Sequence, residues 1–329
     1  MHKFSEIIGH EQIRDHLEKA VKGGKPFHAY IFQGDVGVGK EHMVKTFAAA
    51  LQCQSDEEKP CGQCPSCIQF ESGNQPDVIW VQHEKVDYYS VDEIRQQICN
   101  TMDIKPFSSP YKIYIVQEAE KMNEAAQNAL LKTLEEPPKY GVVILLTSNV
   151  SALLPTIQSR CLTLEFRPLS NSIVEQYLRD HESVPDYLAK TSAAFAQGNI
   201  GKAVRYAKSN DFTGRKDSIL NLLHHVMTMD IPDMLDVIED LGTRRDEVRD
   251  YIDLMQLWYR DVLIFKATKN INQLIFQSDS GNIMKEAEGR SYESLERIMD
   301  AFEKAKTRLK ANVNFEITME LMFLSMKDE

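Results

Sequence analysis

Three groups of residues have types and spacing that carry chemistry. Gly34 to Glu41 reads GDVGVGKE directly after an apolar strand-like run and ahead of a helical stretch. Glycines at this spacing before a lysine let backbone N–H groups turn inward around a phosphate, the following helix N-terminus adds positive potential, and the lysine reaches the terminal phosphates. Gly34, Gly37, Gly39 and Lys40 are therefore the expected cradle of a P-loop. The next position calls for Ser or Thr, whose hydroxyl ligates magnesium, and Glu41 stands there instead, with Asp35 adding a second negative charge. Two accounts fit these residues: a degenerate loop that holds ATP or ADP without hydrolysing it, and a loop kept for its turn geometry that binds no nucleotide.

The second group ends the run Ile113 to Val116, where Gln117, Glu118, Ala119 and Glu120 occupy the place of a Walker B pair. The first acid of such a pair holds magnesium through its water shell and the second polarises the attacking water. Gln117 removes the first charge. Glu118 is left as a base without an organised metal-phosphate complex, and Glu120 reads as an exposed acidic strand end.

The third group is Cys53, Cys61, Cys64 and Cys67, spaced C-x7-C-x2-C-x2-C. Four thiolates are the ligand set of a closed tetrahedral zinc site, and a short insert has little core of its own. Structural zinc is expected, since four cysteines leave no open position for catalysis. Cys99 and Cys161 are left over and read as buried small hydrophobes.

The elements that position these groups follow from apolar patterning. Ala29–Phe32, Val78–Val81, Lys112–Val116 and Val142–Thr147 are short and rich in Val, Ile and Tyr, and they alternate with helical spacing at Glu41–Leu51, Val91–Met102 and Asn123–Leu134. That alternation predicts an α/β domain, a parallel sheet with flanking helices, over 1–168. Ser172 to about Ser209 predicts a small helical lid domain, 169–209, in which Asn199 suits a helix start. Beyond it, Ile219–Met229, Asp233–Leu241, Arg245–Lys266, Tyr292–Lys310 and Phe315–Met326 show helical spacing, so 210–329 is expected to be all-α. Met255, Trp258, Tyr259 and Val262 are expected in its core, and Arg244 to Glu247 at a solvated helix start.

Composition excludes several classes. The chain has 329 residues, is 43% hydrophobic and carries a formal charge of -11. Affinity for nucleic-acid phosphates comes from clustered Lys and Arg, so little or no DNA binding is expected from the chain alone. The longest aliphatic run, Val142 to Leu146, is far too short to cross a bilayer. No membrane association is expected, and the expected compartment is the cytoplasm.

With these motifs in order, the chain resembles the bacterial clamp-loader subunits, the gamma/tau and delta-prime AAA+ family of DNA polymerase III. His28, Ala29 and Tyr30 before the P-loop, NALLKTLEEPP over Asn128–Pro138, and Ser159, Arg160, Cys161 carry the resemblance, which covers about Met1 to Ser209. It implies that the C-terminal domain joins an oligomeric collar. It also implies that Arg160 acts in trans on ATP bound by the next subunit, a role that suits a permanently charged planar guanidinium. Thr147 and Ser148 fall at the family's first sensor, and Gly201 stands where a motor subunit usually carries a sensor-2 arginine. With Glu41, Gln117 and Gly201 altered together, the resemblance implies a stationary, non-hydrolysing subunit of the DNA replication machinery. Its implied partners are the gamma/tau and delta types of loader subunit, and, through the assembled complex, the sliding clamp and primer-template DNA. The competing expectations are an active ATPase motor using Glu41 as a magnesium ligand, and an autonomous DNA-binding zinc protein.

Overall fold

The computed structural model describes residues 3–83, 88–209, 212–226, 228–311 and 313–327. The chain divides into two compact units, Met1–Arg205 and Tyr206–Glu329.

The first unit is built on strands β1 (Ala29–Gln33), β2 (Val78–Val81), β3 (Lys112–Val116), β4 (Gly141–Thr147) and β5 (Leu162–Glu165), all parallel, in the order β2-β3-β4-β1-β5. Side chains alternate across a strand, so each central strand supplies two cores. Tyr30, Phe32, Ile113, Ile115, Ile144 and Leu146 pack on one face with Leu17, Met43 and Phe47. Ile31, Tyr114, Val116, Val143 and Leu145 pack on the other with Ile94, Ile98 and Leu130. The helices that bring those partners are α1 (Glu11–Lys22), α2 (Lys40–Gln52), α3 (Pro65–Glu71), α4 (Val91–Ile94), α5 (Asn100–Met102), α6 (Glu124–Glu135) and α7 (Pro155–Gln158). A π turn, Arg95–Cys99, joins α4 to α5, so the single helix expected over Val91–Met102 carries an irregularity in its middle. Then α8 (Asn171–Glu182), α9 (Asp186–Ala196) and the start of α10 (Ile200–Lys208) complete the unit.

Two elements here fall outside the strands and helices expected from the patterning. The edge strand β5 is four residues, LTLE, with its second and fourth side chains exposed, too short for alternation to mark it. Helix α1 buries only Ile13, Leu17 and Val21, one side chain per turn.

The second unit is helical among the described residues: α11 (Phe212–His225), α12 (Ile231–Gly242), α13 (Arg245–Thr268), α14 (Ser280–Gly289), α15 (Tyr292–Lys310) and α16 (Phe315–Lys327), with two short 3₁₀ turns before α14. Met255, Trp258, Tyr259 and Val262 on α13 are all buried, as their spacing predicts. Asp261, on the same helix and fully buried, accepts backbone N–H bonds from Ile275 (2.6 Å) and Phe276 (2.8 Å), which ties the chain after α13 back onto it.

Candidate functional site

The P-loop leaves β1 and enters α2 at the carboxyl edge of the sheet, where ligands of open α/β sheets bind. Gly37 (φ 91°) and Gly39 (φ 104°) adopt left-handed backbone that residues with a Cβ rarely take. The loop borders a cleft of about 580 Å³ that it shares with Gln117, Glu118 and Glu120 after β3 and with Thr147 and Ser148 at the end of β4. Gly37, Gly39, Lys40, Glu41 and Gln117 are thus brought to one place from segments 77 residues apart, the interval from Lys40 to Gln117, whereas Gly34 does not line the cleft and meets it only through its carbonyl, which accepts from Lys40.

Five successive loop carbonyls are held from within the chain. Lys40 Nζ donates to the oxygens of Gly34 and of Asp35, the latter at 2.8 Å. Asn199 Nδ2 donates to Val36 O at 2.8 Å, Gly201 N to Gly37 O at 2.9 Å, and the His10 ring nitrogen Nε2 meets Val38 O at 3.1 Å. Burial lowers the pKa of His10, so its ring is neutral and Nε2 donates. Burial also lowers the pKa of Lys40, against the attraction of Glu120 and Asp35.

The start of α10 is seated directly on this loop. Asn199, only 5% exposed, caps the helix by accepting from Lys202 N at 3.0 Å while its amide holds Val36. A Cβ built on Gly201 would lie 2.8 Å from Gly37 Cα and 3.0 Å from Gly37 O. Both obstacles are backbone, so the two segments approach this closely only because both residues are glycine. Gly201→Arg has two opposed effects: relief of the helical glycine gains roughly 0.5–1 kcal/mol, whereas overpacking loses about 1–3 kcal/mol. Net destabilisation is expected, read as a lower denaturant midpoint with an unchanged slope. An unchanged or higher midpoint would mean that the α10 start yields easily.

The acids of the cleft differ in environment. Glu41 points along α2 and pairs with Lys45 at 2.7 Å. Glu118 has left-handed backbone (φ 45°) and pairs with Lys121 at 2.8 Å. Its conformation begins the 3₁₀ turn Ala119–Lys121, and Glu120 comes back against β4. There Glu120 Oε1 accepts from Ser148 N (3.2 Å) and Ser148 Oγ (2.5 Å), while its Oε2 is buried without a hydrogen-bond partner. Burial alone would raise its pKa, but the hydrogen bonds from Ser148 help outweigh it and hold Glu120 below the ordinary carboxylate value. The expectation of an exposed acidic strand end is therefore corrected: the turn at Glu118 folds Glu120 into the cleft as a charge facing Lys40. Ser148 is engaged by that carboxylate, and Thr147 Oγ1 accepts from Asn149 N at 3.0 Å. An acid four residues past the end of β3 was the one sequence signal for Glu120.

The cysteines converge separately. The Sγ atoms of Cys53, Cys61, Cys64 and Cys67 all lie within 4.8 Å of one another, and those of Cys61 and Cys67 are 4.0 Å apart. Metal–sulfur bonds of ~2.3 Å in a tetrahedron place the sulfurs about 3.8 Å apart, so the set fits a tetrahedral ion. Backbone N–H groups of Cys61, Cys64 and Cys67 approach the sulfurs of Cys53, Cys61 and Cys64, each at 3.4 Å. Hydrogen bonds from the Gln63 and Cys64 backbone lower the Cys61 thiol to about 6, whereas burial raises those of Cys53 and Cys67. A divalent cation would supply the charge that two buried thiolates lack. The other two cysteines are half-buried: Cys99 Sγ faces Ala129 O at 3.4 Å, and burial pushes the Cys161 thiol up to about 12.

Arg160 does not line the P-loop cleft. It follows α7 and pairs with Glu135, the last residue of α6, at 2.7 Å, while its other terminal nitrogen donates to Thr156 O at 3.0 Å. Its guanidinium is thus held at the surface by neighbours in its own chain.

Known proteins agree with this arrangement. The family described as DNA polymerase III, delta subunit, matches residues 9–170. The DNA polymerase III subunit delta-prime of Bacillus subtilis is 29% identical over 318 residues, which is 95% of this chain and 94% of that protein. Subunit tau of the same organism is 27% identical over 83% of this chain and 52% of its own length. The tau/gamma subunit of Haemophilus influenzae is 34% identical over 60% of this chain and 29% of its own length. A parallel sheet ordered β2-β3-β4-β1-β5, a P-loop at its carboxyl edge, a four-cysteine insert and near full-length similarity to delta-prime point one way, and the chain belongs to the delta-prime and gamma/tau AAA+ family of DNA polymerase III clamp-loader subunits.

Proposed function

We propose that the chain is a delta-prime-type stator: a subunit that completes a clamp-loader ring without hydrolysing ATP and supplies Arg160 to the ATP site of a neighbour. The observation that carries this is the Gly37–Gly201 contact. A motor subunit needs its lid free to respond to nucleotide and a sensor-2 arginine aimed at the phosphates. Here the lid start bonds Gly37 O and leaves no room for a side chain at Gly201. Glu41 is engaged by Lys45 on the face of α2, which disfavours the motor reading in which it ligates magnesium. In this proposal the domains are 1–168, a lid at 169–209 and a collar at 210–329, and the four cysteines hold a structural zinc ion.

Assembly is supported by α16, where Ile317, Leu321 and Leu324 stand exposed at 54%, 44% and 43% with helical spacing along one stripe. Partners are gamma/tau-type and delta-type subunits, with the clamp and primer-template DNA engaged by the assembled complex. Any ATP or ADP in the cleft would bind without turnover.

The test is ATP turnover by the isolated, metal-replete chain. No magnesium-dependent rate above background is expected, and Glu41→Ser alone is not expected to create one, because Gln117 and Gly201 remain. A steady rate that disappears in Lys40→Ala would overturn the stator reading and favour a motor.

A further inference from the structure

Residues at the start of α13 need not be merely a solvated helix end. Arg245, Val248 and Arg249 of α13, Lys306, Leu309 and Lys310 of α15, and the segment Val313–Glu316 leading into α16 border a groove of about 660 Å³, within the usual size range of ligand clefts. Its floor is apolar: Val248 and Phe315 are buried, and the Arg245 guanidinium lies 5.1 Å from the Phe315 ring centre. Its rim is cationic. Lys306 is already spent on Asp253 (2.6 Å) and Glu303 (3.5 Å), but Arg245, Arg249 and Lys310 have no ion-pair partner among the described residues. One acid, Glu316, also borders the groove.

We propose that this groove docks an acidic peptide segment of a partner protein, with an apolar side chain entering over Val248 and Phe315. Charge complementarity selects the occupant. Three cations without an ion-pair partner among the described residues gather in a chain whose formal charge is -11, so the local field attracts a short anion, whereas a long polyanion such as DNA would bring flanking phosphates against acidic surface. The apolar floor points the same way, because a phosphodiester backbone has no apolar side chain to fill it. The site lies wholly in the helical unit and is independent of the P-loop.

The experiment is fluorescence anisotropy on the full chain with a short labelled peptide in which aspartates flank two leucines. Saturable binding, weakening with salt, is expected. It should fall at least about tenfold when asparagines replace the aspartates, when alanines replace the leucines, and in the double variant Arg249→Glu with Lys310→Glu. Both substituted residues are exposed, and circular dichroism checks that the double variant keeps its helices. A peptide with lysines in place of the aspartates should bind that variant better than wild type, which a merely damaged groove would not produce. Absence of saturable binding, or equal binding by wild type and the double variant, would overturn the proposal. Tighter binding of a single-stranded oligonucleotide, lost in the same variant, would overturn it in favour of nucleic acid.

Discussion

Arg160→Ala is expected to leave the chain folded and able to assemble while removing most ATP turnover at one interface of a reconstituted loader. The folding half follows from exposure. The Arg160 and Glu135 side chains are 35% and 48% exposed, and pairs this open contribute roughly 0–1 kcal/mol. The activity half follows from phosphoryl transfer. Charge spreads over the transferred group in the transition state, and a guanidinium supplied in trans accelerates the step by about 10³ to 10⁵ at its own site. Total turnover falls less, because other interfaces keep their own arginines. Arg160→Lys is not expected to rescue fully, since a point charge on a flexible stem does not reproduce the planar fork. The Glu135 pair adds a second arm: Glu135→Gln frees the guanidinium without removing it and should retain activity. The measurement is DNA- and clamp-stimulated ATPase of the assembled complex, with assembly checked by mass. An intact Arg160→Ala complex with wild-type turnover and wild-type clamp loading would exclude the trans role.

One zinc ion per chain is expected in protein purified under reducing conditions without chelator, and its removal should have the largest effect on stability. Structural zinc binds small zinc-finger domains with apparent free energies of about 10–16 kcal/mol near neutral pH, where the ion substitutes for a core. In this chain the insert sits on a larger domain. Cys53 directly follows α2, and Gln52 beside it donates to Tyr111 O at 2.7 Å, so the sheet survives while the segment 53–67 loosens. Cys64→Ser should therefore lose the metal, expose 53–67 to protease and speed its hydrogen exchange, with far-UV circular dichroism nearly unchanged. Retention should also fall as pH drops, because ligand thiolates become protonated. Elemental analysis that finds no metal, or a Cys64→Ser variant as protected as wild type over 53–67, would contradict a zinc-held insert.

Each group of chemical residues was legible where it is contiguous. Gly34 to Lys40 form a cradle by their own backbone geometry, and four cysteines within fifteen residues cannot stray far from one another. The central strands were equally plain, since strands buried on both faces read as unbroken apolar runs. The edge strand β5 was not, because a half-exposed strand of four residues gives too little alternation, and the π turn inside Val91–Met102 leaves helical spacing nearly intact.

By itself, then, the sequence determined the parallel α/β unit, the helical C-terminal unit, the identity of the P-loop and cysteine sites, and the loss of Ser or Thr at Glu41 and of Asp at Gln117. Patterning determines these because periodicity and short spacing report local geometry. Only the tertiary structure decided what each departure does. Gly201 looked like a missing arginine, yet its backbone bonds and abuts Gly37, a contact across 164 positions that no spacing rule encodes. Glu120 became a half-buried partner of Ser148 because the chain reverses at Glu118, and Arg160 acquired Glu135 because α6 and α7 end side by side. Arg245 and Arg249 meet Lys310 and Phe315 only when α13, α15 and α16 pack into one bundle, so an ordinary charged helix start becomes the wall of a groove.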